Sequence, residues 1–65
     1  MFRIKLYGKG QDGDINVEQI GPPFFDLKRA IAKALLLAKT TYPWGEPEGF
    51  RIIDESKAVV HEVAV

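Results

Sequence analysis

Three glycines stand at the spacing G-x-G-x-x-G in "GKGQDGD" (Gly8, Gly10 and Gly13), directly after the run "FRIKLY". Glycines so spaced can let backbone N–H groups close around a phosphate, but the dinucleotide-binding form opens a helix whose N-terminus holds the anion. Here "DINVEQI" follows, which reads as a strand, so that helix dipole is missing. A kinase-type glycine loop does join two strands. It also needs a lysine strand, a catalytic loop and a metal-binding aspartate, for which 65 residues leave no room. Asp12 and Asp14 would moreover repel phosphate. The stretch is read as a hairpin turn, glycine being used for its tolerance of positive φ.

The other chemistry-bearing residues are equally sparse. Asp12, Asp14, Asn16 and Glu18 alternate like the start of a calcium loop, but Val17 takes the place of its required glycine and Pro23 that of its closing glutamate. His61 is the single histidine and Cys is absent, so neither a His/Cys metal cluster nor a thiol nucleophile can be assembled. Ser56 sits between Glu55 and Lys57 with no second histidine to complete a triad. No catalytic, cofactor-binding or metal-binding residue is assigned, no small-molecule substrate is indicated, and a non-enzymatic protein is expected.

Contact chemistry is better represented. Lys28, Arg29, Lys33 and Lys39 lie off the apolar stripe of a helix with no acid among them after Asp26. They could meet phosphates, or they could be the solvated back of a helix. In "LLL", Leu36 falls in the middle of that basic face and Leu37 at the edge of the stripe. "TTYPWGEPEG" brings Tyr42 and the single Trp, Trp44, into a long connection, either as a contact surface of the kind aromatic residues dominate or as a cap on a thin core. Leu36, Leu37, Tyr42 and Trp44 are the candidate protein contacts.

The elements that must position these residues follow from periodicity. Phe2, Ile4 and Leu6 alternate with Arg3, Lys5 and Tyr7, the period-2 mark of a half-buried strand. Ile15 and Val17 alternate with Asn16 and Glu18 until the pattern breaks at Gln19-Ile20, so residues 2–20 read as a hairpin. Asp26 is a helix N-cap. Leu27, Ala30, Ile31, Ala34, Leu35 and Ala38 then form one apolar stripe, and Tyr42-Pro43 ends the helix. "FRII" is a third strand, "DESK" a turn, and "AVVHEVAV" a fourth strand. In that last strand His61 either faces the helix, or a bulge near His61-Glu62 resets the register. The two most apolar strands, the first and the fourth, are expected at the centre of the sheet.

The fold class is therefore α+β: a two-layer ββαββ domain spanning residues 1–65, its four-stranded, mainly antiparallel sheet covered on one face by one helix. Nine basic and nine acidic residues cancel, so no global field draws the chain to nucleic acid or membrane. No apolar run approaches a membrane span, and Met1 leads straight into a strand with no signal-like region, from which a cytoplasmic protein is expected.

"FRIKLYGKGQDGD", "FFDLKRAIAKALLLAK" and "FRIIDESKAVVHEVAV" resemble a family of small uncharacterised bacterial proteins with an acidic-glycine turn, a helix opening D-L-x-x-A and a closing hairpin V-x-D-E-x-x-x-V-V-x-x-V. The matching positions at the end are Ile52, Asp54, Glu55, Val59, Val60 and Val63. Ser56-Lys57 stand where such hairpins carry glycine. The resemblance implies a bacterial origin and a compact α+β fold, and brings no activity, cofactor or catalytic residue. A fainter likeness is to the N-terminal domain of HicB-type antitoxins, which bind a small toxin ribonuclease; "IGPPFF" replaces their extra strand, and a DNA-binding C-terminal element is absent. The expectation is a protein-interaction module, homodimeric in one version. The alternatives are an antitoxin-like partner of a small toxin, or a nucleic-acid contact through the helix cations.

Overall fold

The alternation that begins at Phe2 becomes the first strand of a single antiparallel sheet. A computed structural model describes residues 1–10, 13–18 and 21–64. The elements are β1 (Arg3–Gly10), β2 (Gly13–Glu18), α1 (Leu27–Ala38), β3 (Gly49–Ile53) and β4 (Val59–Ala64). The sheet order is β2-β1-β3-β4, with every neighbouring pair antiparallel. β2 and β3 thus run parallel to each other on either side of β1, and α1 is the crossover between them. The fold is the α+β ββαββ sandwich of sheet and helix. Gln11, Asp12, Gln19, Ile20 and Val65 lie outside the described residues, and with them the tip of the glycine turn and the pattern break at Gln19-Ile20.

Strand placement corrects one expectation. β1 is central, but β3, not β4, is its central neighbour. The crossover delivers β3 next to β1, where Leu6 faces Phe50 and Ile4 faces Ile52. All of these are buried, with Ile4, Phe50 and Ile52 wholly so. The valines of β4 misled because they divide between two faces, and an apolar count does not see faces.

Helix α1 starts where Asp26 accepts the Lys28 N–H at 2.9 Å and holds an extended backbone. It ends at Ala38, capped by Lys39 and thus short of Tyr42-Pro43, with Thr40 Oγ1 donating to the Leu36 carbonyl and the Tyr42 hydroxyl to that of Leu37. Ala30, Ala34 and Ala38 form its buried face. Their small side chains let the helix lie close on β1 and β3, the two strands it packs against. This close seat shifts the stripe. Leu37, about 60° from Ala34, packs into the core, whereas Leu35, about 100° away, stays 41% exposed. The periodicity of the stripe places Leu35 inside, and the structure puts it at the margin.

The glycines of "GKGQDGD" now have separate explanations. Gly8 and Gly10 are not loop residues but the end of β1. A Cβ on Gly8 would lie 3.2 Å from both Trp44 Cζ3 and the Glu46 carbonyl, so its bareness lets the long connection cross the strand. A Cβ on Gly10 would run into the Ile15 side chain. Gly13 alone needs glycine for its backbone, with φ at +120°.

The second hairpin turns without glycine. Lys57 takes φ +71° in the place glycine would hold. The Asp54 carboxylate accepts from the Ser56 hydroxyl (2.7 Å), the Ser56 N–H (2.8 Å) and the Ala58 N–H (3.0 Å). These bonds, the one from the Ser56 hydroxyl foremost, hold Asp54 below the usual carboxylate pKa. Past the turn Ile53 faces Val59 but Ile52 faces His61, so Val60 is the extra residue of a bulge. His61 therefore faces the helix side, with its ring 6.3 Å from that of Phe50, and the bulge precedes it.

Candidate interaction surfaces

The cations of α1 are placed together by helical spacing. Lys28, Arg29, Lys33 and Lys39 are all exposed, and none makes an ion pair among the described residues. Leu36 is 66% exposed and stands on this same face. It lies about 100° round the helix from Leu37 and about 160° from Ala34, on the side away from the sheet. Sequence spacing alone located this patch, since helix periodicity carries the geometry.

Leu37, Tyr42 and Trp44 do not join Leu36. Leu37 and Tyr42 are half-buried against the core. Tyr42-Pro43-Trp44-Gly45 is a tight turn closed by reciprocal backbone bonds of 2.9 Å between Tyr42 and Gly45, with Gly45 at φ +126°. The Tyr42 and Trp44 rings stack at 5.2 Å and 5°. Trp44 lies over Gly8, with Cζ3 3.2 Å from where a Cβ on that residue would stand. The outer side of the turn and the start of β2 form a shallow cleft of about 580 Å³, lined by Asp14, Ile15, Tyr42, Pro43 and Trp44 among others. Its walls are one strand end and one turn, and Asp14 is its single carboxylate among the described lining residues.

The face of the sheet away from α1 is mostly polar, with Ile53 and Val59 its apolar residues at one end. The Arg51 guanidinium lies 4.3 Å from the centre of the Tyr7 ring and donates to Glu62 at 2.9 Å. One face of the Tyr7 ring is thereby occupied, and with it part of what a base could stack on. Lys5 faces Glu18 and Lys9 faces Asp14 across the first hairpin. Charges of both signs alternate here, in contrast to the helix back.

The edges of the sheet supply a further surface: open strand edges are a route to dimerisation legible in principle from the sequence, with β2 and β3 expected there, but β4 takes the place of β3. β4 leaves Val59 51% and Val60 42% exposed. Because α1 rests only on β1 and β3, the helix-side residues of the outer strands, Ile15 and Val17 on β2 and His61 and Val63 on β4, remain incompletely covered. A sequence signal existed: β4 has a single acid, Glu62, and no Lys or Pro, the residues that ordinarily protect an edge. It could be used only once β4 was known to be an edge.

His61 has the Phe50 ring as its aromatic neighbour and no hydrogen-bonded carboxylate among the described residues. Asp12 lies outside them, and Asn16 and Glu18 of the acidic run are committed to β2. Among the described residues no three His, Cys, Asp or Glu side chains gather to hold a metal, and no helix is long and apolar enough to cross a membrane. The class defined is a two-layer α+β domain with one helix on a four-stranded antiparallel sheet. No family model, curated protein or solved structure matches the chain.

Proposed function

We propose that this chain is a non-enzymatic protein-interaction module. The observation that carries the reading is the mismatch between one helix and four strands: α1 covers β1 and β3 and leaves apolar side chains of the outer strands in water. Leu35 and Leu36 add to that exposed apolar surface on the helix. A chain of this length buries a thin core, and association with another polypeptide is an economical way to enlarge it. An antitoxin-like contact with a small toxin is one form such a module could take.

A second reading is favoured by a different observation. Lys28, Arg29, Lys33 and Lys39, without an ion pair among the described residues, form a face of one sign, suited to the phosphates of a nucleic acid. The zero net charge speaks for the protein contact instead, and α1 itself carries no aromatic residue among these cations, although the exposed Phe25 lies beside Arg29 just before the helix.

Sedimentation equilibrium of the full chain, set beside titration of duplex DNA and single-stranded RNA at low and moderate salt, separates the two. In its self-associating form the module reading expects a mass above 7.3 kDa that rises with concentration and changes little with salt. A chain that stays at monomer mass and binds nucleic acid with a log–log salt slope of about −0.9 per neutralised phosphate on duplex overturns it.

A further inference from the structure

We infer that the partner is a second copy of this chain, paired antiparallel edge to edge through β4, so that two sheets join into one with both helices on the same side; this rests on the module reading above. As an edge strand, β4 presents backbone N–H and C=O groups that no neighbouring strand takes. β2, the other edge, carries Asp14, Asn16 and Glu18 in its six residues, while β4 carries one acid, Glu62, already bound by Arg51 at 2.9 Å. Like charges opposed across a two-fold axis would thus be limited to Glu62, each neutralised within its own sheet.

The bulge at Val60 bends the start of the strand, so the regular stretch offered for pairing is His61–Ala64. A two-fold axis there brings His61 and Val63 of each copy together on the helix side. The crossover from β2 through α1 to β3, with the right-handed sense such connections adopt, turns Ile31 and the half-exposed Leu35 toward β4. These residues form an apolar shoulder that a second copy continues rather than ends. A stable interface takes about 800 Å² from each partner, about a sixth of this molecule's 4543 Å² surface. A short strand pair alone falls below that, so the contact must include the Leu35 shoulder. A second copy rather than some other strand is indicated by symmetry and charge. One two-fold contact covers two exposed edges at once, and nine acids against nine bases leave no net repulsion between copies.

The test is sedimentation equilibrium on the wild type, on Val60→Lys/Ala64→Lys and on Leu36→Glu, from micromolar to millimolar chain. All the changed positions are exposed, and circular dichroism checks that each variant folds. The edge variant is expected to weaken the dimer roughly tenfold or more, and Leu36→Glu to leave it unchanged. Because the chain has no cysteine, single replacements Glu62→Cys, Ala64→Cys and Leu36→Cys supply an independent measurement. Oxidation should cross-link copies through the β4 positions and not through position 36. A dimer that survives the edge lysines and cross-links through position 36 overturns the β4 contact while the module reading stands. A chain that is monomeric at every concentration overturns the self-pairing, and if it also binds nucleic acid the module reading falls with it.

Discussion

In the β1–β2 hairpin glycine recurs at Gly8, Gly10 and Gly13, whereas the β3–β4 hairpin closes with no glycine in its turn. Both are antiparallel ribbons on the same sheet, yet the residues serve different ends. In the first, two of the three glycines end β1 and are covered, Gly8 by Trp44 and the 46–48 segment and Gly10 by Ile15. In the second, the turn is built from a side chain: Asp54 holds the loop by three hydrogen bonds while Lys57 accepts a left-handed backbone. A glycine-rich motif can therefore record what packs over a strand, and a turn can be encoded by an aspartate.

The two hairpins are joined strand to strand by the β1–β3 pairing, so that seam is where the comparison can be broken outright. Phe50→Ala removes the buried ring that faces Leu6 across it. A loss of about 3–5 kcal/mol is expected, set against a total of roughly 3–10 kcal/mol for a chain of this size, and urea unfolding should find the variant largely unfolded. Next in size is Gly8→Ala. Its methyl would press on Trp44 and on two backbone atoms, for about 1–3 kcal/mol. Gly10→Ala should cost less by the same measurement, since the obstructing Ile15 side chain can turn away. If the two glycines proved equal, cover by the long connection would not be what selects them.

The second hairpin should respond in the opposite direction. Lys57→Gly relieves the left-handed lysine and is expected to stabilise by about 0.5–1 kcal/mol, read as a higher Tm. Its contact with Glu18, 3.7 Å long between exposed groups, is a minor loss. The smallest effect is that of acid. Asp54 is held below its ordinary pKa by bonds that only the folded turn makes. Its contribution is therefore complete above the unfolded carboxylate value of roughly 4 and is lost as pH falls through the folded value. Asp54→Asn should remove that part of the acid dependence of unfolding and leave the behaviour near pH 7 parallel to the wild type.

Legibility in the sequence followed the range of the interaction. Asp26 as N-cap, the helix that follows it, the inward set Phe2, Ile4 and Leu6, and the strand–turn–strand character of both hairpins rest on near neighbours. All were readable. The assignment of Leu35 to the core was not correct because the stripe's centre depends on how closely Ala30, Ala34 and Ala38 let α1 approach the sheet. The exposure of Leu36 was readable from its angle, but the separation of Leu36 from Tyr42 and Trp44 was not. It depends on a turn that folds back over Gly8. Trp44 offered two roles, the core cap being the stronger from chain length, and its place over Gly8, a residue 36 positions earlier, could not be read from the sequence.

What the sequence determined by itself is the element order ββαββ, the residues that start the helix, and the neutral charge that sets cations on the helix back against acids in turns and outer strands. Local hydrogen bonding and the two periodicities suffice for these. Only the tertiary structure decided that β3 rather than β4 lies beside β1, that Val60 is a bulge which leaves His61 facing the helix, and that Val59 and Val60 stand on an open edge. Each of these outcomes compares whole arrangements of the same strands, differing in which faces are buried together, and no single stretch of chain carries that difference.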